Sequence, residues 1–167
     1  MTRVSSTLDK STGKKNLIDG SAETCWSSTQ VSKFNHDVDL PIYAASTKLD
    51  WQQGIPQHIL LAFDAPVIVR SVALTFQGGF VGLQCSIYAK RVNGDEDSGS
   101  DSWILIGNIF PEDVNRPQTF TVSNTGGPKE EALYNQLRLV FEQSSDFFGR
   151  IVVYNLSIDG DVAEYDI

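Results

Sequence analysis

Apolar and polar residues alternate along the chain from His58 onward. Val72, Leu74 and Phe76 fall on one side of their segment, and Leu137, Leu139 and Phe141 on one side of theirs. A spacing of two predicts half-buried strands. Shorter apolar runs cover 59–63, 85–89, 103–106, 119–122 and 151–158. Turn-forming residues punctuate them at Asp64-Ala65-Pro66, Gly78-Gly79, Pro111-Glu112-Asp113, Gly126-Gly127-Pro128 and 144–149. Helical periodicity is nearly absent, so the pattern predicts an all-β fold, an antiparallel jelly-roll β-sandwich of about eight strands. His58 opens the first of these runs and reads as a sheet-edge residue without a functional role.

Two stretches break the rhythm. Residues 29–56, with Pro41, Gly54 and Pro56, carry no period of 2 or 3.6 and read as a long irregular excursion, the kind of loop that carries function. Residues 93–101 are hydrophilic and read as a solvated hairpin tip; their aspartates lack the ligand order of an EF-hand. Residues 161–167 form a short acidic end, and the whole chain, 1–167, reads as one domain.

Charge narrows the partners. Thirteen Lys plus Arg against twenty-one Asp plus Glu give a net charge of -8, which repels phosphate backbones and anionic bilayers before contact. Direct binding of nucleic acid or membrane is therefore not expected. No apolar stretch approaches the ~20 residues of a membrane span, and the N-terminus lacks a secretory apolar core, so an intracellular protein of the cytoplasm or nucleus is expected. Cys25 and Cys85 stand alone, without the spacing of a zinc site or a disulfide framework.

Catalysis finds no support. The chain has two histidines, His36 and His58, and shows no nucleophile elbow, HExxH helix or cysteine in a catalytic motif. A non-enzymatic role is expected.

The most informative loop is Asn16-Leu-Ile-Asp19-Gly20-Ser21-Ala-Glu-Thr24-Cys-Trp26-Ser-Ser28. Asp19 can accept backbone N–H groups just ahead of it, Gly20 permits a positive φ, and Thr24 can close the loop before a core-sized Trp26. The pattern Asn-x-x-Asp-Gly-x-x-x-Thr-x-Trp-x-Ser resembles the first long loop of discoidin-like domains, also called coagulation factor 5/8 type C or galactose-binding-like domains. A second segment sharpens this. Gln77-Gly-Gly-Phe80 together with Leu137 to Leu156, including Asp146-Phe-Phe-Gly-Arg150, resembles the nuclear receptor 2C2-associated protein family of small discoidin-like proteins.

The resemblance implies a binding module, and within that family an intracellular adaptor or transcription-coregulator-like protein. It also implies a calcium site in the carbohydrate-binding branch of the class, which maps onto Asn16, Asp19, Ser21 and Thr24. The family's closing glutamate falls on Asn155, which removes a negative charge from that cage. The expected partner is a protein, held by the excursion and by Gln77, Phe80, Asp146, Phe147, Phe148 and Arg150 on end-of-sandwich loops. Arg150 can pair either with Asp146 or with a partner's carboxylate. The alternative is a calcium-assisted carbohydrate-binding module using the same loops; no cofactor is required by the first reading.

Overall fold

The computed structural model describes residues 1–30, 54–92, 103–122 and 132–163. The middle of the excursion, the hydrophilic tip at 93–101, the Gly126-Gly127-Pro128 turn and the last four residues lie outside this set. Among the described residues the strands are β1 (Thr2–Val4), β2 (Trp26–Ser27), β3 (Gln57–Phe76), β4 (Gly82–Arg91), β5 (Ile104–Ile109), β6 (Pro117–Thr121), β7 (Tyr134–Ser144) and β8 (Val152–Val162), with one 3-10 turn at Lys14–Leu17. They form one eight-stranded sheet in the order β2-β8-β3-β7-β4-β5, with β1 and β6 also on β3. Every pairing is antiparallel.

β3 makes this sheet a sandwich. Its first half lies between β1 and β7, with Ile59 opposite both Val4 and Leu139. Its second half lies between β6 and β8, with Leu74 opposite Gln118 and Leu156. One layer is thus β1-β3-β7-β4-β5 and the other β6-β3-β8-β2. The alternation seen in the sequence supplies the core between them: Val72, Leu74, Phe76, Leu137, Leu139 and Phe141 are all buried. Phe76 and Phe141 meet edge-to-face across the layers, centroids 6.0 Å apart.

The turn expected at Asp64-Ala65-Pro66 is not a break. β3 runs through it, slipping register between Ala62 and Val67. Pro66 has no N–H to offer a ladder, but its carbonyl accepts the N–H of Ala163 at 2.9 Å. A strand shared by two layers bends there instead of ending. Gly160 is the counterpart on β8: a Cβ built on it would stand 1.9 Å from the Ile68 carbonyl oxygen, where the β3–β8 register slips again between Val69 and Ser71. β8 itself continues through Asp161 and Val162, the first residues of the acidic end, and the Asp161 carboxylate pairs with Arg70.

His58 is not at an edge. Val140 of β7 flanks it on one side, and on the other its carbonyl accepts the Ser5 N–H at 3.0 Å while its own N–H reaches Ser5 Oγ at 2.9 Å. Burial, reinforced by the Arg138 charge, lowers its pKa to about 4.

The sandwich has two distinct ends. The Met1 amino group donates to the Ala62 carbonyl at 2.6 Å, so both Met1 and Ala163 sit at the β3 bend. The opposite end carries the β3–β4 and β7–β8 turns, and it holds most of the residues singled out above.

Candidate binding surface

The aspartate corner folds as its sequence dictates. Asp19 Oδ1 accepts the Ser21 N–H at 2.9 Å and Oδ2 accepts the Thr24 hydroxyl at 2.6 Å; Gly20 between them has φ +72. These bonds, Thr24 first and Ser21 second, hold the Asp19 carboxyl below its ordinary pKa. Ser21 Oγ in turn accepts the Glu23 N–H at 3.2 Å. Asn16 turns its amide to the Ser11 and Cys25 carbonyls at 2.7 and 2.8 Å. Behind the corner Trp26 is fully buried and donates Nε1–H to the Ser6 carbonyl at 2.9 Å.

Extending the β2–β8 register by two residues sets Asn155 across from Thr24. As a calcium cage this donor set fits poorly. It offers one carboxylate, both of whose oxygens already accept hydrogen bonds, and an uncharged amide where a second acid is needed. Among the described residues no three His, Cys, Asp or Glu side chains gather into a metal-binding group.

At the loop end, the two turns are stitched into one unit. Gln77 donates its N–H to the Val152 carbonyl at 3.1 Å, and Val152 returns a bond to the Phe80 carbonyl at 3.0 Å. Val81 N–H reaches Ser145 Oγ at 2.8 Å, and Ser145 N–H reaches the Val81 carbonyl at 2.9 Å. The β5–β6 turn braces the other side: Asn115 Oδ1 accepts the Gly78 N–H, and Asp113 Oδ1 accepts that of Gly79 at 2.6 Å. Gly79 needs its missing side chain, for its φ is +83.

The β7–β8 turn closes on itself. Asp146 accepts the Gly149 N–H at its carbonyl, 2.9 Å, and the Arg150 N–H at Oδ2, also 2.9 Å. The Asp146 carboxylate thus serves the Arg150 main chain. Phe147 and Phe148 project from the tip, 82% and 45% exposed, and touch edge-to-face with centroids 5.2 Å apart. The Arg150 guanidinium lies 5.0 Å above the half-buried Phe80 ring.

Three contributors were missed in the sequence. Asp113 and Asn115 have no local signature beyond a polar turn, and their targets lie more than thirty residues away. Gln57 is fully buried: its Oε1 accepts the Ser5 and Ser6 hydroxyls, the latter at 2.7 Å, and its Nε2 donates to the carbonyls of Gly54 and Thr29. Gly54 has φ +85, and a Cβ there would stand 2.8 Å from the carbonyl oxygens of both Gln30 and Phe148. Gln30 and Gly54, the two feet of the excursion, are therefore seated beside the aromatic turn.

No family model matches the chain. It is, however, 37% identical to the Nuclear receptor 2C2-associated protein of Danio rerio over 95% of its own length and 89% of that protein's. To the protein of the same name from Homo sapiens it is 31% identical, over 96% and 91% of the two chains. The chain belongs to the nuclear receptor 2C2-associated protein family. Among solved structures, this family member is similar to the chitosan-binding module 1 of a Paenibacillus sp. IK-5 chitosanase/glucanase, with TM-score 0.63, 15% identity and 96% and 94% of the chains covered. It is also similar to the family 32 carbohydrate-binding module of Clostridium perfringens NanJ solved with galactose, with TM-score 0.60, 17% identity and 95% and 91% covered. These neighbours share the galactose-binding-like fold with it. The relatives are named as associated proteins, and the neighbours are binding modules.

Proposed function

We propose that this chain is a non-enzymatic, intracellular protein-binding module of the adaptor or transcription-coregulator type, which meets its partner with the loop end of the sandwich. The observation that carries this reading is Phe147, an aromatic ring 82% exposed on a turn held by the bonds of Ser145, Asp146, Gly149 and Arg150. A rigid exposed ring loses little entropy on docking, which is how interface anchors act. The relatives' names support a protein as the partner. The net charge of -8 turns away nucleic acid and anionic membranes.

The test is a titration of the chain against purified nuclear receptor 2C2. Saturable binding is expected, weakened ~10-fold or more by the double substitution Phe147→Ala, Phe148→Ala at unchanged melting temperature. A titration with galactose and chitosan oligosaccharides runs beside it. Saturable sugar binding lost on the same substitutions, with no binding of the receptor, would overturn the reading.

In this reading the aspartate corner works as a hydrogen-bonded clasp without metal. Millimolar calcium is then expected to leave the melting temperature unchanged, and chelator likewise. A rise with calcium would show a cation bound to the native state, since a ligand of the folded form must stabilise it.

A further inference from the structure

One polar group at the loop end stands out among the described residues. Arg150 Nε is buried and meets no acceptor among the described residues, although a buried donor left unpaired is costly and rare. Arg150 is held by its neighbours. Its main chain is fixed on both sides, N–H to Asp146 Oδ2 at 2.9 Å and carbonyl to Ser144 Oγ at 2.7 Å, and its guanidinium rests on Phe80. Several neighbouring main-chain donors are engaged: Gly78 with Asn115, Gly79 with Asp113, Phe80 with Gln77, Val81 with Ser145, and Gly149 with Asp146.

We infer that the loop end takes a protein segment presenting an Asp or Glu side chain beside a large apolar residue, the carboxylate on Arg150 and the apolar group against Phe147 and Phe148. This rests on the protein-binding reading above and names the chemistry of the partner. A guanidinium offers parallel donors that match a carboxylate, and the pair strengthens where water is excluded. The carboxylate is taken to belong to a side chain, since capture of a chain terminus relies on free backbone N–H groups and Gly78, Gly79, Phe80, Val81 and Gly149 have theirs engaged. It is a lone one because a run of acids would be repelled by the chain's charge of -8 and by Asp113 and Asp146 nearby.

A random-peptide display library selected on the full chain tests this. Enriched peptides are expected to share an Asp or Glu adjacent or nearly adjacent to Phe, Trp or Leu. Replacing that acid by its amide, or making Arg150→Gln in the protein, should each weaken binding ~10-fold or more. The two losses should not add, because they remove the same contact. Arg150→Lys, which keeps the charge and loses the fork, should fall between; should Arg150→Gln melt early, this variant and the amide peptides carry the test. Selected peptides without an acid, or affinities indifferent to Arg150→Gln, overturn the inference, while sensitivity to Phe147→Ala would leave the protein-binding reading standing. A library that enriches nothing, or sugar binding lost in Arg150→Gln, overturns both.

Discussion

Individual residues divide by how far away their partners lie. Asp19 and Thr24 were legible because an aspartate bonding the backbone two residues ahead, with a threonine five ahead, is a local device. Gln57 was not, since a glutamine opening a strand looks exposed and its partners Ser5, Ser6 and Thr29 come from another part of the chain. His58 was misplaced for the same reason: nothing nearby in sequence announces that β1 will cover it. Its lowered pKa makes a definite prediction. The unfolded chain binds a proton near pH 6.5, the folded one only near pH 4, so stability is complete above 6.5 and is lost as pH falls toward 4. At this partly solvated site the loss should be about 2 kcal/mol. Denaturant midpoints measured across that window should slope upward with pH in the native chain and flatten in His58→Gln.

Elements were easier to read than their ends. The period of two in 72–76 and 137–141 found strands, and the residues it put on their apolar sides, Val72, Leu74, Phe76, Leu137, Leu139 and Phe141, are buried. The same reasoning cut β3 at Asp64-Ala65-Pro66, because local chemistry cannot tell a turn from a bend shared between two layers. β1 and β2 are two or three residues long, too short to show any period. At the bend, Gly160 is a steric requirement, with Ile68 backbone where its side chain would go. Gly160→Ala should therefore cost about 2–3 kcal/mol, since rigid backbone cannot yield as a side-chain tip can. Chemical denaturation reads this directly, and a loss under half a unit would show that β8 moves aside.

For the molecule as a whole, β3 belongs to both layers, so neither can melt while the other stays intact. Unfolding should be a single cooperative event: urea transitions followed by tryptophan fluorescence, reporting buried Trp26, and by far-ultraviolet dichroism should coincide. Two separated midpoints would mean the halves of β3 unzip independently. The fold class was visible in the sequence because strand rhythm and turn spacing are properties of the entire chain. The loop end was visible only as a set of aromatic and glycine residues, since what joins them, from Asp113 to Gly54, depends on segments meeting in space. Met1 and Ala163, finally, are both bonded into the bend, at the end of the sandwich opposite the aromatic tip. A sensor chip or resin gripping the protein at the β3 bend would leave Phe147 facing the bulk solution, whereas random coupling through lysines would bury some copies face-down.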